Sequence, residues 1–344
     1  VLSLSSILHR LTFVWVVQHI LRRRREAVSA VLWILTAWFI PGLGFLLYLG
    51  FGINRVEARS WKNAASNRKL MDERQARESS NLSLSFWRSI RESVARQPED
   101  PVAQVIDRTV AAQLTDHPLL GGNRIELLMT GDEAFPRMIE AIESARHHIH
   151  LQSFIIGQDP VGRDFMRRLA AKARSGVTVR ILYDRFGSTR AVLGGLFRSH
   201  RRVPHLHLAA WTMTRLLKRQ FAINLRNHRK SLIVDGRIGF MGGINLQADH
   251  TTQGGKAPIR DYHFECAGPV VSELQYTFLR DWYYLTGEDP DRLLCAEHFP
   301  ALEPAGDTPI RLINGGPMTA LDENSDMIFA SVASSKKRNL AVTP

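Results

Sequence analysis

Between Asp184 and Asp235 the sequence contains no aspartate or glutamate, yet lysine and arginine occur there eleven times. A charge run is ordinarily a solvated basic face, but one from which acid is wholly excluded, and which closes on a histidine and a lysine, points to a surface kept for an anion. Cysteine is equally scarce. Cys266 and Cys295 are the only two, which excludes a disulfide framework and any thiolate spacing suited to zinc. Apolar bulk is present instead: 344 residues, 44% hydrophobic and 23% charged, can bury one large core or two domain-sized ones. The net charge of +12 narrows the partners to nucleic acid, an anionic membrane surface or a phosphorylated substrate.

The N-terminus chooses among these. From Ala27 to Gly52 there is no charge, and Arg22 to Arg25 lie on one side with Arg55 and Arg59 on the other. That length spans a bilayer. Pro41, Gly42 and Gly44 in its middle are tolerated by membrane helices and rarely by soluble core helices, and Trp33, Trp38 and Tyr48 suit the interfaces. Val1 to Leu21 is also apolar but carries His9 and Arg10, so it reads as a poorer second span or an in-plane segment. Its arginines follow the apolar run, the reverse of a cleaved signal peptide.

Asn54 to Asp100 is polar and reads as an exposed linker or charged helix, and the globular part starts near Pro101. There short apolar strands alternate with helical periods: RIELLM from Arg124, a helix over Ala134 to Ala145, HIHLQSF from His148, a helix over Asp164 to Arg174, and VTVRILY from Val177. Further strands are expected at Ser231 to Val234, Ile238 to Met241 and His263 to Cys266, with a closing amphipathic helix carrying Leu274, Phe278 and Trp282 on one stripe. Strand, helix, strand in succession predicts an α/β fold with a parallel sheet covered on both faces.

The chemistry centres on NHRKSLIVDG, Asn227 to Gly236. On a strand, residues n and n+2 share a face, so His228 and Lys230 converge while Arg229 points away, toward the surface. Two such groups held together are costly without an anion between them. Beyond the expected turn at Asp235 and Gly236, Gly242 and Gly243 precede Ile244 and Asn245. Paired glycines admit a ligand close to the backbone, and an asparagine amide can donate to phosphate oxygen. His147, His148, His150, His205 and His207 are assigned to structure or solvent. The stretch from Leu206 to Arg226 interleaves Trp211, Leu216, Leu217 and Phe221 with cations, as a membrane contact or a nucleic-acid groove would.

These residues carry a resemblance. HRKSLIVDG followed by GFMGGIN matches the H-x-K-x4-D signature of the phospholipase D superfamily. IPGLGFLLYLGFG, GVTVRILYDRFGS and RDYHFECAGPVV are similar to the membrane anchor, the third strand and the close of the first lobe in bacterial cardiolipin synthases. The resemblance implies a lobe with a mixed, largely parallel sheet flanked by helices, behind an N-terminal transmembrane helix or hairpin, in the bacterial inner membrane with the lobe on the cytoplasmic side. It implies a phosphatidyl transferase that joins two phosphatidylglycerol molecules into cardiolipin and releases glycerol, without metal ion or other cofactor. A phospholipase D-type phosphodiesterase or nuclease is the alternative, and the membrane stretch argues for lipid over nucleic acid. His228, Lys230 and Asp235 occupy the catalytic motif. His228 is the expected nucleophile, or the general acid if the histidine of a second motif attacks. Lys230 and Asn245 would clamp the non-bridging oxygens beside Gly243; Asp235 would tie strand to turn, and Asp261 would orient the histidine ring.

The family carries two such motifs per chain, and this sequence has one. An internal echo, IELLMTG from Ile125 in IRLINGG from Ile310, and more weakly IESARHHIHL from Ile142 in VASSKKRNLAV from Val332, marks a second lobe beginning. The expected organisation is an anchor over 1–53, a linker over 54–100, a catalytic lobe over 101–300 and an incomplete second lobe over 301–344. Low activity is expected of such a chain, unless a homodimer supplies the missing histidine.

Overall fold

The computed structural model describes residues 4–22, 27–52, 56–79, 101–107, 117–211, 228–252, 257–313, 328–330 and 332–334. They fall into two units. In the N-terminal unit, α1 (Leu4–Arg22) is, among the described residues, the one helix long and apolar enough to cross a membrane. The uncharged run after it does not form one straight span. α2 (Ala27–Phe39) stops before Pro41, Gly42 takes a left-handed φ of 71°, and α3 (Leu43–Leu47) turns back on α2. Gly44 permits that approach: a Cβ there would lie 2.3 Å from the Thr36 carbonyl oxygen. The bend falls where Pro41, Gly42 and Gly44 interrupt the run, and α1 is the longer unbroken apolar helix. Val16, Ile20, Ala37 and Tyr48 pack together, and the Tyr48 hydroxyl meets His19 Nδ1 at 2.7 Å.

The second unit is built on an eight-stranded sheet of order β4-β3-β2-β5-β6-β7-β1-β8. The strands are β1 (Leu119–Leu128), β2 (His148–Ser153), β3 (Thr178–Asp184), β4 (Leu206–Trp211), β5 (Lys230–Val234), β6 (Ile238–Gly242), β7 (His263–Ala267) and β8 (Thr308–Arg311). The sheet is mixed, as expected, but its parallel share is confined to β2–β3–β4, the part wound by crossover helices. The other pairings are antiparallel. β8, the start of the internal echo, pairs with the beginning of β1.

Alternation sorts the side chains into two layers. On one face Ile149, Leu151, Leu232 and Val234 pack under α6 (Gly131–Ser144) and α7 (Pro160–Arg174), the crossover helices before β2 and β3. On the other, Ile233 and Leu182 pack with α10 (Val270–Thr286), whose Leu274, Phe278 and Trp282 form the expected stripe. Short helices in the described part of the unit include α5 (Pro101–Ile106), α8 (Thr189–Leu193), α9 (Leu196–His200) and α11 (Pro290–Leu293).

Part of the expected linker is the helix α4 (Val56–Ser79). This is the charged-helix alternative, docked by one face: Leu70 is fully buried in the α10 layer, and Arg74 reaches the buried Glu273 carboxylate through two hydrogen bonds. The basic aromatic stretch after Trp211 lies outside the described residues.

Candidate active site

β5 leads away from the site into a tight hairpin. Asp235 and Gly236 both take positive φ, 52° and 63°, the backbone an Asp-Gly pair adopts when it joins two antiparallel strands. At the other end of β5, His228 and Lys230 meet Phe154, which directly follows β2. The imidazole of His228 stacks on the Phe154 ring at 4.1 Å between centroids, and Lys230 Nζ stands 5.6 Å from that ring's centre. Lys230 Nζ also donates to the His228 carbonyl oxygen at 2.6 Å, tying the two motif residues together. Burial pulls the Lys230 ammonium below its ordinary value, with the Asp261 carboxylate opposing.

The glycine pair forms the next wall. Gly242 pairs across the sheet with Lys230 on one side and His263 on the other, so the lysine and this histidine share a face. A Cβ on Gly242 would strike the β7 backbone, 2.3 Å from the Tyr262 oxygen and 2.5 Å from the His263 Cα, whereas one on Gly243 would lie 2.2 Å from both Asp261 carboxylate oxygens. The two glycines thus do different jobs: the first lets β7 close on β6, the second admits the Asp261 side chain.

Asn245 is oriented from two directions. Its Oδ1 accepts from the backbone N–H of Ile155, and its own N–H donates to His250 Nε2 at 3.3 Å. With the carbonyl end engaged, the amide Nδ2 is the end left to donate. Because Phe154 and Ile155 are consecutive, the end of β2 positions both His228 and Asn245. His250 Nδ1 donates to the Ile259 carbonyl, which fixes its tautomer; burial lowers its pKa. His263 is buried, its ring nitrogens have no hydrogen-bond partner among the described residues, and burial followed by the His250 and Lys230 charges takes it down to about 4.

Asp235 does not join this group. It caps the far end of β5, seven residues or roughly 23 Å from His228 at the usual strand rise, where its carboxylate accepts from the backbone N–H groups of Arg146, His147 and His148 at 2.8, 2.8 and 2.9 Å. Its grouping with the catalytic pair is therefore corrected to a clamp that pins β5 to the start of β2. Arg229 points away from Lys230, as strand parity requires, but it is no surface contact: it pairs at 2.7 Å with Asp281 of α10, which also accepts from Gln152.

Behind the sheet lies a buried polar network. Gln275 donates to His148 Nε2 and accepts from His150 Nδ1, while Arg180 Nη1 donates to the Nε2 atoms of His150 and His298 and its other nitrogens grip Glu288. It holds β2, β3 and α10 in register from the side opposite the motif. Sequence reasoning missed Phe154, His250, His263 and Asp281; the flag available was an aromatic ending a strand, and acid or imidazole in apolar periods.

Residues 138–282 match the family described as "Cardiolipin synthase, PLD-like domain", and residues 11–52 match "Phospholipase_D-nuclease N-terminal". The chain belongs to the phospholipase D-like cardiolipin synthase family. It is 31% identical over 346 residues to a protein named cardiolipin synthase from Geobacillus kaustophilus, covering 100% of this chain and 66% of that one. It is 34% identical over 271 residues to cardiolipin synthase A from Pseudomonas entomophila, covering 78% and 54%. The chain thus spans between about half and two thirds of these relatives' length. Among solved structures it is similar to NucT from Helicobacter pylori, with 16% identity, a TM-score of 0.37, and coverage of 47% of this chain and 98% of that one. The family's matched segment contains His228, Lys230, Gly243, Asn245 and Asp261 together.

Proposed function

We propose that this lobe carries out phosphatidyl transfer between two phosphatidylglycerol molecules. The observation that carries the reading is the convergence of His228, Lys230 and Asn245 at the end of β2, beside a glycine-lined approach. A ring nitrogen of neutral His228 attacks the phosphorus of the first lipid. The bond to the headgroup glycerol breaks, and that oxygen leaves with a proton from a general acid. The free hydroxyl of a second phosphatidylglycerol then attacks the phosphohistidine, its proton is taken up, and His228 is released with cardiolipin as product. Lys230 and the Asn245 amide hold the non-bridging oxygens, where charge reorganises in both steps. Phe154 fixes the imidazole plane, and the Asp261 carboxylate favours the charged form of Lys230.

One lobe carries one motif histidine, so the general acid comes from a second such lobe or a second copy of this one. Water in place of the second lipid gives phosphatidic acid, the hydrolase alternative. The apolar helix Leu4–Arg22 supports a membrane location, and we place the lobe on the cytoplasmic side of the inner membrane, where Cys295 should escape an impermeant thiol reagent in intact cells. The deciding assay incubates the protein in anionic vesicles with labelled phosphatidylglycerol. Cardiolipin and glycerol support transfer; phosphatidic acid alone replaces it with hydrolysis.

A further inference from the structure

A groove of about 950 Å³ lies along the outer edge of the sheet, at β3, β4 and the two short helices between them, and shares no residue with the His228 site. Its wall combines three arginines, Arg185, Arg198 and Arg201, with an apolar strip that includes Phe197 and Leu208. All three arginines are exposed, and none forms an ion pair among the described residues. Glu288, the acid that lines the groove, is already held by Arg180 and by Trp282 Nε1. Among the described residues, the positive charge in the groove is therefore uncompensated.

The three arginines share the groove wall with one aromatic pair: Tyr183 stacks on Phe197 at 3.7 Å, and both rings line the same groove. Two large apolar side chains stand beside the groove in sequence and are open to solvent, Phe186 at 51% and Leu193 at 82% exposure. Guanidinium groups beside exposed apolar side chains match a lipid at the bilayer surface, with phosphate in the headgroup layer and chains below. Free phosphate would satisfy the arginines and leave the apolar strip unused.

We propose that this groove binds the headgroup phosphate of an anionic phospholipid other than the one being transferred, and so seats the lobe on an anionic membrane. The choice of lipid rests on the transferase reading of the His228 site; the anion site itself does not.

The test is hydrogen exchange on the full chain in a neutral detergent, reading residues 185–201 and 228–245 separately. Three probes are added in turn: short-chain phosphatidylglycerol, short-chain phosphatidylcholine and inorganic phosphate. Phosphatidylglycerol should protect both segments. In the Arg198→Gln/Arg201→Gln variant the concentration that half-protects 185–201 should rise roughly tenfold or more, with 228–245 unchanged, and Arg198→Lys/Arg201→Lys should retain most of the protection as a control for folding. Protection of 228–245 alone would overturn the groove as a site. Equal protection of 185–201 by phosphatidylcholine would reduce it to an apolar contact, and equal protection by phosphate at the same concentration would remove lipid as the ligand. Protection of 185–201 without 228–245 would support the groove and count against the transferase reading.

Discussion

Arg229 and Asp281 form a 2.7 Å ion pair on the face of β5 opposite Lys230, and the Asp281 side chain is only 7% exposed. Burial alone would raise that carboxyl; Arg229, Arg280 and Gln152 outweigh it and hold the group below its usual range. Removing the guanidinium strands a buried charge. Arg229→Ala should therefore cost about 2–4 kcal/mol of stability, while Lys230→Ala leaves thermal unfolding nearly unchanged. Equal unfolding temperatures in the two variants would contradict this division of the strand.

The Phe154 ring under His228 gives a second expectation. Phe154→Ala removes the surface that sets the imidazole plane without touching a motif residue. Turnover should fall by roughly 10- to 100-fold, with substrate affinity and unfolding temperature close to the parent. An unchanged turnover number would mean that the stack does not position His228.

The adjacent glycines should separate stability from activity. Gly242→Ala forces a methyl into the β7 backbone at a φ of 156°, so it should unfold at a clearly lower temperature. Gly243→Ala meets only the end of a side chain, the Asp261 carboxylate, which can swing aside. It should fold normally and lose activity. Paired melting and activity measurements decide, and the reverse pattern would contradict the assignment.

Acid should destabilise the lobe. His148, His150, His263 and His298 are held below their ordinary pKa, first by burial and then by neighbouring charges, with His263 and His298 near 4. Unfolded imidazoles bind protons near 6.5. Folded values lie below unfolded ones, so the stabilising contribution is complete above about pH 7 and is lost as pH falls through about 6.5 toward 4. At pH 5 each of His263 and His298 costs on the order of 2 kcal/mol. The unfolding temperature should fall steeply from pH 7 to 5, less so in His298→Gln, and a flat profile would contradict the neutral network.

The strands of the lobe were legible because alternation and flanking turns mark them locally, and His228, Lys230, Gly243 and Asn245 stand out by spacing alone. Strand direction was not legible. Buried parallel and antiparallel strands read alike, and β5 pairs antiparallel with β2 only because its own chain enters from the site end. Partners distant in sequence were also hidden: nothing near Arg229 points to Asp281, nor anything near Arg74 to Glu273. In the N-terminal run Pro41, Gly42 and Gly44 marked the break, but its geometry was hidden, because it depends on Gly44 fitting against the Thr36 carbonyl.

The most direct measurement is of covalent attachment at His228. The protein, in vesicles containing phosphatidylglycerol, is quenched under alkaline conditions that preserve phosphoramidates and digested for mass spectrometry. A phosphatidyl adduct on the peptide containing His228, absent from His228→Gln together with turnover, is the expected result. Turnover by His228→Gln at the parent rate would contradict a role for this histidine in the transfer.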